Sequence, residues 1–234
     1  MTEPVQFSLF DPVPRAEAVS SPSLDADTYA QIPQRADVAI PAGTYADLAA
    51  LNSHCQTCRR CALGATRTHV VVSRGNPKAK LMIIGEGPGQ AEDESGRPFV
   101  GKAGQLLDKI LASVNLDSEE DAYICNIVKC RPPGNRVPEP AEIAACLPYL
   151  LEQIRLVDPK IILLAGATAV RGLLQDPQAI TKIRGQWLEW QGRWCMPIFH
   201  PAYLLRNNSR EPGSPKWLTW QDIQTVRDRL RQLG

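Results

Sequence analysis

Three observations along this chain predict an α/β protein. Short apolar runs alternate with stretches of helical period, glycines and prolines end most of the runs, and polar residues suited to chemistry follow them directly. The expected architecture is a three-layer sandwich: a short, mainly parallel four-stranded sheet flanked by helices, with a disordered N-terminal tail ahead of it. Leu81–Ile84, Tyr123–Val128, Ile161–Ala165 and Met196–Phe199 are the four expected strands. Leu106, Leu107, Ile110, Leu111 and Val114 recur on one helical face, as do Ile143, Leu147, Leu150, Leu151 and Ile154. Trp217 to Leu233 gives a last amphipathic helix. Ligands of such sheets bind at the carboxyl ends of the strands, so the loops that open at Gly85, Lys129, Gly166 and His200 are where function is expected.

Charge divides the chain near residue 48. The formal net charge is +1 over 234 residues, yet residues 1–48 carry −5 and the remainder +6. The first segment is rich in Pro, Ser and Ala and has no sustained period. It holds too little apolar surface to offset its ordering entropy, so residues 1–48 are read as a disordered acidic tail and 49–234 as the folded domain. No window reaches the 18 or so apolar residues of a membrane span, and no basic start precedes an apolar core as in a secretory signal. A soluble, cytoplasmic, monomeric protein is expected. Seven cysteines without an export signal point to thiols or metal ligands, not to a disulfide framework.

Three constellations carry chemistry. The first is Gly85-Glu-Gly-Pro-Gly-Gln-Ala-Glu-Asp93, followed by Gly96-Arg-Pro-Phe-Val-Gly-Lys-Ala-Gly104. Glycines after a strand let backbone approach a ligand closely, although Pro88 lacks the N–H that a phosphate cradle would use. The second is His200-Pro-Ala-Tyr-Leu-Leu-Arg-Asn207, which sets a histidine at a strand end ahead of two leucines and an arginine with no evident core to join. Apolar wedges beside a cation are what proteins push into a DNA base stack. The third is the cysteine set. Cys55, Cys58 and Cys61 follow a C-x2-C-x2-C spacing, and Cys130 and Cys146 lie 16 residues apart further on. Thiolates at that spacing share a metal or cluster, and spacing leaves zinc and iron–sulfur both open.

Gly85-Glu-Gly-Pro-Gly, Glu92-Asp93, Gly96–Leu107, Asn126-Ile-Val-Lys-Cys-Arg-Pro-Pro-Gly-Asn135 and His200–Asn207 together resemble the family 4 uracil-DNA glycosylases, the iron–sulfur members of that superfamily. The resemblance runs from about Cys58 to Leu233 and does not cover the tail. It implies hydrolysis of the N-glycosidic bond of deoxyuridine in DNA, leaving an abasic site, and a [4Fe-4S] cluster on Cys58, Cys61, Cys130 and Cys146. Cys55 is then a spare thiol, and Cys125 stands where the family often has another residue.

The resemblance also implies roles. Phe99 stacks on the flipped base, Asn126 reads the uracil edge, and His200 donates to O2. Glu86 and Gly87 belong to the base-binding loop. Gly87 stands where the best-known branch carries a water-positioning aspartate, so Glu92, with Asp93 as the other choice, is taken as the water-activating residue. Leu204, Leu205 and Arg206 are expected to fill the gap left by the flipped nucleotide, with Arg97, Lys102 and Arg210 on phosphates. In the tail, Gln6-Phe-Ser-Leu-Phe10 resembles the peptide by which bacterial repair and replication proteins bind the sliding clamp. Two other classes compete: a non-catalytic nucleic-acid-binding module with structural zinc, and a nucleotide-binding oxidoreductase. Lys129, where the latter would want an acidic residue on the ribose, weakens the oxidoreductase reading.

Overall fold

The computed structural model describes residues 40–233. Every predicted strand is present, with two short strands besides, and the sheet has six strands in the order β1-β3-β2-β4-β6-β5. These are β1 (Arg74–Gly75), β2 (Leu81–Gly85), β3 (Ala122–Asn126), β4 (Ile161–Ala165), β5 (Leu188–Trp190) and β6 (Arg193–Ile198). The inner four are parallel; β1 and β5 pair antiparallel at the edges. The four-strand expectation is corrected here, and the reason is local. Two residues of β1 and three of β5 are too short for an apolar period, and the β5–β6 hairpin is set by its turn, where Gln191 and Gly192 both have positive φ. The last parallel strand also begins at Arg193, three residues before its apolar stretch.

The inner strands are buried on both faces and read as unbroken apolar runs. In β2, Leu81 and Ile83 face α4 (Lys102–Ala112) and α9 (Pro215–Gln232). Met82 and Ile84 face the layer of α1 (Leu48–Thr57), α5 (Pro140–Val157) and α6 (Ala167–Leu174). Shorter helices complete the chain: α2 (Leu63–Thr66), α3 (Gln90–Ser95), α7 (Ile180–Ile183) and α8 (Pro201–Arg206). Proline opens α5, α8 and α9, where its missing N–H costs nothing.

The boundary drawn at residue 48 falls late. Ile40, Thr44 and Tyr45 are buried, and Glu152 of α5 accepts from the Gly43 and Tyr45 backbone N–H groups at 2.9 and 3.2 Å. The acidic composition around them hid three side chains that dock on the domain. The Gln6–Phe10 peptide lies outside the described residues. Among the described residues, no helix is long and apolar enough to cross a membrane.

Candidate functional site: a base cleft and a thiol pocket

A cleft of about 500 Å³ opens at the carboxyl ends of β2, β3 and β6. Glu86, Gly87, Glu92, Phe99, Asn126, His200 and Arg206 all line it, so one place gathers seven of the residues singled out from sequence.

Its inner wall is built by close approach. Gly85 pairs with Asn126 across β2 and β3, and a β-carbon on Gly85 would stand 2.4 Å from both Asn126 Oδ1 and Phe99 Cζ. Only glycine leaves that slot open. Phe99 is buried with φ +55°, an unusual backbone for an aromatic residue, and its ring lies 5.9 Å from that of His200 at an interplanar angle of 30°. Asn126 is 2% exposed, and its Oδ1 is buried without a hydrogen-bond partner. A buried carbonyl oxygen left unpaired costs about 1–3 kcal/mol, so this acceptor is a socket for a donor that is not part of the chain.

His200 caps α8. Its Nδ1 accepts from the Ala202 backbone N–H at 3.1 Å, which puts the ring proton on Nε2. Burial pushes the imidazole down to about 4; the Arg206 guanidinium pushes the same way, and Glu92 opposes. The side chain is thus a neutral Nε2–H donor at physiological pH.

The two carboxylates of the loop are engaged. Glu86 accepts from the Thr168 hydroxyl in a short hydrogen bond. Glu92 accepts from the Val100 and Gly101 N–H groups at 2.9 and 2.7 Å through one oxygen, and from the Gly89 N–H at 3.1 Å through the other. It ties the glycine loop to the start of α4. Asp93, the other choice, is buried and holds the Thr68 and His69 N–H groups at 2.9 and 3.3 Å, away from the cleft.

The outer residues divide differently from expectation. Leu204 is 1% exposed and packs inward beside α4, so it is no surface wedge. The turn of α8 explains it: Pro201 and Leu204 face the core, while Tyr203 and Arg206 face out. Leu205 is half-buried and does not line the cleft. Arg97 and Lys102 are exposed outside it, Arg97 in an ion pair with Glu119 at 3.0 Å. Tyr203 and Val137, both exposed, are cleft residues that sequence reasoning passed over. The turn-forming Pro132-Pro-Gly-Asn135 was the available signal for the Val137 loop. That loop is braced by Arg136, whose guanidinium makes two bonds to the nearly buried Glu142 at 2.7 and 2.8 Å.

The second site is a small hollow of about 20 Å³, lined by Cys55, Cys58, Cys61, Cys130 and Cys146 together with Arg60, Arg67, Lys129 and Tyr149. The four expected ligands share it with Cys55, while Cys125 and Cys195 are buried elsewhere in strands. The Lys129 backbone N–H points at Cys146 Sγ at 3.3 Å, and Arg67 Nη1 at Cys130 Sγ, also at 3.3 Å. Burial pushes Cys130 up to about 11 and Cys146 up to about 12, so each is a thiol until a metal displaces its proton. Among the described residues, no three His, Cys, Asp or Glu side chains converge to hold one metal ion. Lys129 joins the two sites: it is buried, and its ammonium donates to the Asn126 carbonyl at 2.6 Å.

A model of the uracil DNA glycosylase superfamily matches residues 72–224. A type-4 uracil-DNA glycosylase of Thermotoga maritima is 44% identical over 76% of this chain and 91% of its own. Those of Sulfurisphaera tokodaii and Saccharolobus solfataricus are 41% and 42% identical, over 74% and 64% of this chain and 80% and 73% of theirs. The family match and these identities place this chain in the uracil-DNA glycosylase superfamily, with type-4 enzymes among its relatives.

Proposed function

We propose that the cleft holds uracil flipped out of DNA and that this chain, as a uracil-DNA glycosylase, hydrolyses the bond between uracil N1 and deoxyribose C1′. The observation that carries the reading is the unpartnered Asn126 Oδ1, buried beside Phe99 and the neutral Nε2–H of His200. The Asn126 amide accepts from uracil N3–H and donates to O4. Cytosine presents the opposite pattern there and would leave buried groups unpaired, which discriminates strongly. Phe99 covers one face of the base.

As the C1′–N1 bond breaks, its electron pair moves into the uracil ring and onto O2. The His200 Nε2–H faces that developing charge and stabilises it more than the ground state. A water oxygen bonds to C1′ and the proton it gives up neutralises the departing uracil anion, leaving free uracil and an abasic sugar. Glu92 is assigned to hold that water. Three of its roughly four lone-pair positions are taken by backbone N–H groups, which leaves one for a water, and Glu92 lines the cleft. Glu86 and Gly87 shape the loop, and Arg206 at the lip takes a phosphate.

Cys58, Cys61, Cys130 and Cys146 are proposed to hold a [4Fe-4S] cluster. The donor set supports it: all sulfur, arranged around a hollow rather than a point, with cations and N–H groups aimed at the sulfurs. The group would supply structural cross-linking of the segment between α1 and α2, the loop after β3, and α5. The Gln6–Phe10 peptide is proposed, on its resemblance to clamp-binding peptides, to tether the enzyme to a replication sliding clamp. Clamp affinity unchanged on deleting residues 1–12 overturns the tether.

The deciding experiment incubates the protein with an oligonucleotide carrying one U opposite G, followed by alkali. Cleavage at U that drops by about 10²–10³ in His200→Ala supports the glycosylase and the role of His200. No cleavage by iron-loaded protein leaves a nucleic-acid-binding relative without catalysis.

A further inference from the structure

A second groove of about 430 Å³ lies beside the base cleft, between α4, α9 and the segment after α8. Leu106, Ile110, Trp217 and Trp220 give it an apolar wall, and Trp220 is 47% exposed. Lys109, Arg210 and Lys216 also line it, and no carboxylate does. None of these three cations is ion-paired among the described residues; Lys216 donates to the Asn208 amide oxygen at 2.8 Å. Helix α8 borders both the groove and the base cleft. Leu204 of α8 lines the groove, while Ala202, Tyr203 and Arg206 of the same helix line the cleft.

We propose that this groove is a second DNA subsite, which takes an unpaired nucleotide flanking the flipped uridine, its base against Trp220 and its phosphates on Lys109, Arg210 and Lys216. The proposal rests on the glycosylase reading of the cleft. Three unpaired cations without a carboxylate select a polyanion, and an exposed tryptophan face selects a flat ring. A paired base shows only its edges in the grooves, so an exposed indole in the groove fits a base that has left the stack. The enzyme therefore grips single-stranded or frayed DNA at two points, one of which does no chemistry.

The test uses the full chain and a fluorescein-labelled single-stranded thymidine 16-mer without uracil, followed by anisotropy. Trp220→Ala weakens its binding about tenfold, the loss expected for one stacked base. Lys109→Gln and Lys216→Gln each lower the slope of log K against log salt by about 0.7. A second arm measures uracil release from a single-stranded 6-mer and 16-mer. Wild type favours the 16-mer, and Trp220→Ala abolishes that preference while leaving the 6-mer rate unchanged. Unchanged 16-mer affinity in Trp220→Ala overturns the subsite. So does quenching of Trp220 by a synthetic peptide of residues 1–20 but not by the thymidine oligomer, which assigns the groove to the acidic tail. Failure of wild type to release uracil from either length sinks the reading of the cleft, while the anisotropy arm still decides the groove.

Discussion

The base cleft and the thiol pocket meet at Lys129 and are held together in different ways. The cleft is finished by the chain itself. Glu92 anchors three backbone N–H groups, Glu86 holds Thr168, Glu142 holds Arg136, and the Ala202 N–H fixes the His200 tautomer. Only Asn126 Oδ1 is left waiting among the cleft's buried side-chain atoms. The thiol pocket is the reverse. Burial holds Cys130 and Cys146 as thiols, and the Arg67 guanidinium and the Lys129 backbone N–H are aimed at their sulfurs. A site that must act on a passing substrate is preorganised before it arrives. A site that keeps its guest is completed by it.

The largest effect should come from the pocket. Cys130→Ser combined with Cys146→Ser removes two of the four proposed ligands. Because binding of a structural metal group is folding free energy, the loss is expected at several kcal/mol, with iron content and the melting temperature falling together. His200→Ala, in the cleft, should cost rate while moving the melting temperature little. The contrast is tested by iron analysis and calorimetry on both variants. A cysteine variant with unchanged melting would make the pocket an ordinary cluster of buried thiols.

Much of this contrast was legible in the sequence, and the illegible part has physical causes. Parallel strands buried on both faces read as continuous apolar runs, so Leu81–Gly85 and Ile161–Ala165 could not be missed. The edge strands carry no period because they are two and three residues long. Phe99, Asn126 and His200 were legible through the family resemblance, His200 also because it follows a strand. Leu204 was misread because sequence alone does not say which face of a six-residue helix turns inward. Tyr203, one residue earlier, lines the cleft instead. Glu92 shows a different limit. Nothing in its neighbourhood announces that Val100 and Gly101, eight and nine residues away, would direct their N–H groups at its carboxylate.

Gly85→Ala sharpens the comparison at smaller cost to the fold. The added methyl must displace the Asn126 amide and the Phe99 ring edge, each 2.4 Å from where it would stand. Both are side chains and can give way, so the expected destabilisation is about 1–3 kcal/mol, as for overpacking elsewhere. The groups that move are those that read the base, and displacement of about 1 Å can cost 10²-fold in rate. Excision should therefore fall about a hundredfold while the iron content stays unchanged. Equal losses of iron and activity would mean that the cleft and the pocket are not separable.

The smallest effect is a pH dependence confined to the cleft. His200 is lowered to about 4 in the fold against 6.5 for a free side chain. Between those values the unfolded chain binds a proton that the fold refuses, so stability is complete above about pH 6.5 and declines as pH falls toward 4. Urea midpoints at pH 7 and 4.5 should differ more in wild type than in His200→Gln, which cannot titrate. Excision should show no step from His200 between pH 8 and about 5, because the neutral Nε2–H is the donor throughout. A rate step centred near pH 6.5 that vanishes in His200→Gln would place the imidazole in water, and the cleft would then be a site shaped by its substrate, like the pocket.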